Sequence, residues 1–169
     1  MSVKQKNIIK RSENGFSLME LLVAVVVMSI GLLGIAGMQT FGLRSVYNSN
    51  LLNVATSQAT DLADRMRSNM TGVEDGGYDG IDGSETDPSC MPGCAGTNLA
   101  QYDAYIWTQA NKALLHDNGT GSVTNSVTNN GDGTFTITIS WKEFAGSEEE
   151  IAQTGSEMKN GSYSLRFQP

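Results

Sequence analysis

The most apolar stretch of the chain is residues 16–38, FSLMELLVAVVVMSIGLLGIAGM, in which Glu20 is the sole ionisable side chain. As a helix rising about 1.5 Å per residue, this stretch is long enough to cross a hydrocarbon core of roughly 30 Å. Basic residues flanking an apolar span stay on the cytoplasmic side of the membrane. The pattern therefore predicts one membrane-spanning helix, with the chain after it outside the cytoplasm. The preceding basic residues are Lys4, Lys6, Lys10 and Arg11.

Residues 40–70 show a different pattern, in which apolar positions recur every three or four residues. Such spacing is typical of an amphipathic helix with one covered face. Asp61 and Arg65, at positions i and i+4, are expected to form a solvated surface pair. The stripe predicted to be covered consists of Leu43, Tyr47, Leu51, Val54, Gln58, Leu62 and Met66.

The C-terminal part of the chain predicts one further helix and a small sheet. Residues 99–116 have a helical composition, and Trp107 within them is expected to pack against the sheet. Residues 122–127 and 134–144, separated by a polar turn, indicate a hairpin. In its second strand, apolar residues alternate with Thr and Ser, as a strand with one covered face requires. The alternating apolar positions are Phe135, Ile137, Ile139 and Trp141.

Residues 145–161 read as a polar, acidic loop, and residues 162–168 as a closing strand with Tyr163, Leu165 and Phe167 on one side. The fold class that these patterns predict is α+β. A long N-terminal helix, half membrane-spanning and half amphipathic, would pack by its outer half on a small antiparallel sheet. The predicted divisions are a leader at 1–15, a membrane helix at 16–39, an amphipathic helix at 40–70 and a globular head at 71–169.

Residues 71–96 are glycine-rich and acidic, and their irregular pattern predicts a loop. Oxygen ligands in a flexible loop suit calcium, but the spacing here does not match an EF-hand. A solvated loop without metal is therefore the main interpretation, and calcium binding is the alternative. The carboxylates concerned are Asp75, Asp79, Asp82, Glu85 and Asp87.

Cys90 and Cys94 flank the sequence Met91-Pro92-Gly93. Pro followed by Gly predicts a type II turn, which brings the two cysteines within disulfide range. Outside the cytoplasm such a pair is expected to be oxidised. A redox role is the alternative, although the spacing is not C-x-x-C. Zinc is not expected, because two Cys and the single His116 supply too few ligands.

The 169-residue chain carries a formal net charge of -7. Nucleic-acid binding needs clustered Lys and Arg, so this balance argues against a nucleic-acid partner. A cleaved secretory signal has an apolar region of only about 7–15 residues, shorter than the run found here. A lipoprotein signal is excluded, because no Cys directly follows the apolar run. A plain membrane anchor fits the length but leaves Glu20 in the bilayer, at a cost of roughly 2.5–3.5 kcal/mol.

His116 and Asp117 together invite comparison with a catalytic triad. They stand at a predicted helix end before a glycine turn, where His more often interacts with the helix C-terminus. No nucleophile motif, phosphate-binding loop or paired-carboxylate signature accompanies them in the sequence. The sequence therefore predicts a non-enzymatic protein that uses no cofactor.

Residues 15–20, Gly-Phe-Ser-Leu-Met-Glu, follow a basic leader and precede an apolar helix. This arrangement resembles the class III signal of type IV pilins and type II secretion pseudopilins. The resemblance implies that a prepilin peptidase cuts after Gly15 and methylates the new N-terminal residue, Phe16. It also implies that Glu20 serves in subunit assembly. The chemistry is consistent with this role, since the mostly cationic α-amine of the new N-terminus can pair with Glu20 of a neighbouring subunit.

Residues 29–39, SIGLLGIAGMQ, and 64–67, DRMR, resemble minor pilins of the PilV type, as do Asp103 with Trp107 and Ser140-Trp141. The resemblance implies an inner-membrane protein with a periplasmic head. It would join other minor pilins and the major pilin to start pilus assembly, supporting adhesion or twitching motility. Gly31, Gly34 and Gly37 serve either close helix packing or a hinge. Two alternatives stay open, namely a type II secretion pseudopilin and a membrane-anchored periplasmic binding domain.

Overall fold

The computed structural model describes residues 16–117, 121–147, 151–153 and 155–169. The chain divides into two compact units, Met1–Phe41 and Gly42–Pro169. Helix α1, Leu18–Ser68, begins in the first unit and ends in the second. The fold is α+β, as predicted, because a long N-terminal helix precedes a three-stranded antiparallel sheet.

Ser17 immediately precedes α1 in the first unit and caps it. Its hydroxyl oxygen accepts a hydrogen bond from the amide of Met19 at 3.3 Å, and its carbonyl accepts from Leu21 at 3.2 Å. A Ser at this position satisfies amides that have no partner within the helix. All described residues of this unit are exposed. By length and composition, α1 contains a stretch apolar enough to cross a membrane.

The outer half of α1 contributes one face to the core of the second unit. Tyr47 and Val54 are partly buried against this core, as predicted, but Leu43 is 71% exposed and its predicted burial was wrong. The sequence pattern also missed that much of the covered face is alanine at four-residue spacing. The same buried core also contains the large side chain of Trp107. The fully buried residues of α1 are Leu51, Ala55, Ala59, Leu62, Ala63 and Met66.

The sheet has the order β1-β2-β3, with β1 at Thr124–Asn129, β2 at Phe135–Phe144 and β3 at Met158–Phe167. Both strand pairs are antiparallel. The predicted alternation along β2 is confirmed, since Phe135, Ile137, Ile139 and Trp141 are all buried.

β3 begins four residues before the predicted closing strand, inside the segment expected to be a loop. The reason is that β2 continues to Phe144, which pairs with Met158. Gly161 lies opposite Trp141 in this extension, and a Cβ there would stand only 2.7 Å from the indole nitrogen. The glycine therefore makes room for the buried ring. Residues 148–150 and 154 of the predicted loop lie outside the described residues.

Two further helices complete the second unit, α2 at Met70–Glu74 and α3 at Gly96–Leu114. The prediction that residues 71–96 form only a loop was wrong for the first residues of this segment, which belong to helix α2. Helix α2 forms there because the Asn69 side chain accepts a hydrogen bond from the Gly72 amide at 3.2 Å, which caps the helix. Helix α3 matches the predicted helix at 99–116 but begins three residues earlier. Residues 119 and 120 of the predicted glycine turn after it lie outside the described part of the chain.

Trp107 joins α3 to α1. Its side chain is 1% exposed, and its indole N–H donates to the carbonyl oxygen of Gln58 at 2.8 Å. The sequence pattern predicted packing against the sheet and did not indicate this bond to the long helix. Because a buried indole N–H needs an acceptor, this contact fixes the position of α3 along α1.

Candidate functional site

The residues of the class III signal resemblance lie at the start of α1. Phe16 is 84% exposed, and Glu20 stands exposed in the first helical turn. The Glu20 amide donates to the Ser17 carbonyl at 3.0 Å, so this residue is already helical. Gly15 and the basic leader at 1–15 lie outside the described residues. The structure therefore places Phe16 and Glu20 about one helical turn apart and does not describe the proposed scissile bond.

The apolar surface that follows has no cover within the described chain. Large apolar side chains from Leu18 to Met38 are exposed, and a Cβ placed at Gly31, Gly34 or Gly37 would meet no atom within 4 Å. Among the described residues, therefore, no internal contact requires glycine at these three positions. Such a surface can insert into lipid or pack against other helices.

A buried polar network in the second unit connects α1 to α3. Arg65 donates to Asp61 at 2.8 Å and to the buried Asp103 at 3.1 Å. The Tyr78 hydroxyl donates to the other oxygen of Asp103 at 2.7 Å and accepts from Asn69 at 3.2 Å. The predicted solvated pair of Asp61 and Arg65 is confirmed, and the additional bond of Arg65 to Asp103 is what the sequence pattern did not indicate. Burial, together with the bond to Asp103, raises the pKa of Tyr78 well above its usual value.

Carboxylates of the acidic segment accept hydrogen bonds from nearby groups. Asp79 accepts from the Asn129 side chain at 3.1 Å, which connects the segment to the end of β1. Asp82 accepts from the hydroxyl and the amide of Ser84, and these bonds lower the pKa of its carboxyl group. Within the described ranges, no three acidic, His or Cys side chains converge as a metal site would require. The local geometry is that of a loop organised by its own hydrogen bonds.

Cys90 and Cys94 form a disulfide, with their Cα atoms 5.1 Å apart. The turn between them differs from the predicted type II turn. The Gly93 amide donates to the Cys90 carbonyl at 2.7 Å, and the Met91–Pro92 peptide is cis. Pro92 therefore occupies the third position of the turn, where a type II turn would have it second.

His116 and Asp117 make separate contacts. His116 has a φ of 61° at the end of α3, and its ring lies 6.3 Å from that of Tyr47. Asp117 is buried and accepts from the Val123 amide at 3.1 Å and the Ser122 hydroxyl at 3.0 Å. Burial opposes ionisation of Asp117, but these hydrogen bonds outweigh it and lower the pKa. The pair thus terminates a helix and anchors the chain that enters β1.

Comparison with protein-family models matches residues 10–36 to the prokaryotic N-terminal methylation motif. The matched range contains Gly15, Phe16 and Glu20. Comparisons with curated proteins and with solved structures give no match. The motif supports a type IV pilin-like protein and implies processing by a prepilin peptidase. Together with the exposed apolar helix, it is consistent with membrane anchoring.

Proposed function

We propose that this protein is a minor pilin of the PilV type, which helps to start assembly of a type IV pilus and thereby supports adhesion or twitching motility. The observation that carries this proposal is the methylation motif at residues 10–36, which overlaps an uncovered apolar helix. A subunit of this kind needs an apolar helix for the membrane and the filament core, and a small folded head outside them. The resemblance of residues 29–39 to PilV-type proteins favours the minor pilin over other users of the motif.

The first step in this function is processing. A prepilin peptidase cuts between Gly15 and Phe16 and methylates the new α-amine on Phe16. Removing the leader deletes the four basic residues that keep the leader in the cytoplasm. The cleavage also creates a charged amine at the start of α1. The described helix begins at Leu18, so this amine lies beside the first turn.

Glu20 acts in the second step, which is assembly. While the subunit is in the inner membrane, Glu20 lies near the cytoplasmic interface and stays hydrated. Transfer of the helix into a filament core removes that hydration, and an unpaired carboxylate there costs several kcal/mol. Pairing with the Phe16 amine of a neighbouring subunit offsets this cost and sets the axial register.

The head follows the membrane helix and lies in the periplasm before assembly, where oxidising conditions maintain the Cys90–Cys94 disulfide. Its partners are other minor pilins and the major pilin. The divisions at 1–15, 16–39, 40–70 and 71–169 correspond in this scheme to leader, membrane helix, helix of the head and the rest of the head.

Mass spectrometry of the N-terminus tests the processing step. The expected mature chain begins with methylated Phe16, and a Gly15→Val variant is expected to keep the full mass because the peptidase needs a residue without a side chain before the scissile bond. Retention of Met1 in the wild-type protein, or cleavage far from Gly15, contradicts the proposal.

A deletion strain tests the cellular role. Loss of pili with intact protein secretion supports the minor pilin. Loss of secretion with intact pili identifies a type II secretion pseudopilin. Unchanged pili and secretion favour a membrane-anchored periplasmic domain that does not polymerise.

A further inference from the structure

The two edges of the sheet differ in what covers them. At the outer edge of β1, the Val127 amide donates to the Ile81 carbonyl at 2.9 Å, so the segment before α3 contacts that edge. The outer edge of β3 has no backbone partner of this kind between Asn160 and Arg166 in the described part of the chain. An open edge presents a row of backbone N–H and C=O groups with which another extended chain can pair.

The register of the sheet identifies the backbone groups that point outwards from β3. Ala145 donates its amide to the Glu157 carbonyl at 2.7 Å, so these two opposite residues bond to each other. In an antiparallel ladder, every second pair is bonded in this way, and the residues between direct their groups to the other side. The Met158 amide is directed outwards accordingly and donates to the Ser156 hydroxyl at 3.1 Å. The outward groups that stay open belong to Asn160, Ser162, Ser164 and Arg166.

A groove of about 290 Å³ lies beside this edge, between β3 and the outer half of α1. Helix α1 contributes Ser49 and the 44% exposed side chain of Leu52, and the sheet contributes Trp141 and Gly161. Neighbouring residues on adjacent strands project to the same face of a sheet. A residue opposite Gly161 on an added strand would therefore point towards α1, as Trp141 does. Because Gly161 has no side chain, the groove has room for a large one from that residue.

The opposite face of the sheet carries a cation near the same edge. Lys142 of β2 is exposed, lies opposite Asn160 in the register, and pairs with no carboxylate of the described chain. The other cation of this face, Arg166, pairs with Asp132. No exposed residue of β2 or β3 is acidic. A residue added next to Asn160 stands two strand spacings, about 10 Å, from Lys142. A glutamate at that position would be within the combined reach of the two side chains and would complement the charge.

We propose that the β3 edge binds an extended segment of another protein, which adds to the sheet as a fourth strand and inserts a large apolar side chain into the groove beside α1. A glutamate next to that apolar residue pairs with Lys142 on the opposite face. Backbone bonds to residues such as Ser162 supply affinity, and the groove and Lys142 supply selectivity. A second copy of this chain does not fit as the partner, because β3 contains no acidic residue to complement Lys142. The inference concerns the head alone and does not depend on the proposed processing and membrane steps.

Selection from a displayed library of random peptides, about nine residues long to match a strand, tests the proposal on the full chain in detergent micelles. We expect the enriched peptides to be rich in strand-forming residues and to place a glutamate next to a large apolar residue. The most enriched peptide is then synthesised, and its affinity for the wild type and for variants is measured by fluorescence anisotropy.

Ser162→Pro is the first variant, since it removes an outward N–H without breaking a bond to β2, and proline is tolerated on an open edge. Its affinity for the peptide should fall by about tenfold or more, because one backbone bond is lost and the ring crowds the added strand. Ser162→Ala is the matched control, because it keeps the N–H and loses only the hydroxyl. Its affinity should stay within about twofold of the wild type.

Leu52→Gln tests the groove and should weaken binding by about fivefold, because part of the apolar wall is lost. Val46→Gln is its control, since Val46 is an exposed apolar residue of the same helix that does not line the groove, and its binding should stay unchanged. Lys142→Ala should weaken binding by about two- to threefold, as expected for an exposed ion pair.

The proposal is overturned if the library yields no enriched peptide, or if the enriched peptide binds wild type and Ser162→Pro equally well. If Ser162→Pro does not fold, two versions of the peptide, N-methylated at one or the other set of alternate amides, replace it. One set faces the β3 edge, so undiminished binding of both versions overturns the proposal. Dimerisation of the chain through β3, with no peptide bound there, overturns it as well and assigns the edge to a second copy.

Discussion

The two compact units of this chain use polar residues in opposite ways. In the described part of Met1–Phe41, Glu20 is the sole ionisable side chain, and it is exposed. In Gly42–Pro169, Asp103 is 5% exposed and is bonded to Arg65 and Tyr78 from two other segments. The described part of the first unit presents its charge to the surroundings, whereas the second unit also holds a buried charge that its own residues satisfy.

The matched family motif at residues 10–36 lies in the first unit. A segment that a peptidase and other subunits must recognise carries its chemistry in consecutive residues, as in residues 10–36. A head that satisfies its own polar groups needs only compatible partners, which many sequences can supply. Changes in the first unit should therefore affect processing or assembly without affecting the stability of the head. Changes in the head should have the opposite effect.

The largest expected effect is that of Glu20→Val on assembly. The variant should still be cut after Gly15 and accumulate in the membrane. Its co-purification with other pilins should fall by about tenfold or more, because the proposed pairing would leave a neighbour's α-amine without its partner in an apolar core. The thermal unfolding of its head should match that of the wild type. Cleavage is followed by mass spectrometry and assembly by pull-down from detergent extracts.

Glu20→Asp is the matched control, since it keeps the carboxylate and should recover part of the assembly. The competing hypothesis is that Glu20 serves only in recognition by the peptidase. Uncleaved Glu20→Val protein would support that hypothesis. Cleaved Glu20→Val protein that assembles normally would rule out the pairing with Phe16.

Asp103→Ala should produce the next largest effect, and only in the head. It leaves the buried Tyr78 hydroxyl without its acceptor and removes one of the two acceptors of Arg65, at a cost of about 2–3 kcal/mol in unfolding free energy. Asp64→Ala is the control, because the Asp64–Arg67 pair is solvent-exposed and should contribute no more than about 1 kcal/mol. Denaturant unfolding followed by circular dichroism measures both. Equal unfolding free energies of the two variants would show that the network does not stabilise the head.

The contrast also shows what the sequence alone can predict. Strand β2 is predictable because its buried and exposed residues alternate within one continuous run. The signal residues are predictable because Gly15, Phe16 and Glu20 are close together in sequence. The Asp103 network is not predictable in this way, because Asp103 is separated by 38 residues from Arg65 and by 25 from Tyr78.

Two further differences between the sequence-based prediction and the structure have local physical causes. Ala55, Ala59 and Ala63 form much of the covered stripe of α1, but alanine is too weakly apolar to mark a buried face by hydropathy. The start of β3 at Met158 depends on how far β2 extends, and residues 158–161 show no alternation of their own. Pairing across the sheet therefore decided this boundary.

Gly161→Ala should have a smaller effect on the head. The added Cβ would stand 2.7 Å from both the Trp141 indole nitrogen and the Glu143 carboxylate, so the buried ring must shift. Overpacking of this kind costs about 1–3 kcal/mol. Ser162→Ala, on the exposed neighbouring residue of β3, should stay within about 0.5 kcal/mol of the wild type. Unfolding of the two variants at the same denaturant concentration would mean that the packing of the Trp141 ring does not require a glycine at position 161.

The smallest expected effect is that of removing the Cys90–Cys94 disulfide by Cys90→Ser with Cys94→Ser. The ring that the bond closes is short, so the chain-entropy model gives at most about 2 kcal/mol. The bond lies in the segment before α3, outside the buried core, so its loss should loosen residues 86–95 and leave the rest of the head folded. Limited proteolysis should cut the variant within this segment and the wild type much more slowly. Unfolding of the entire head in the variant would contradict this, and free-thiol labelling of both cysteines in freshly isolated wild-type protein would show that the bond is not present.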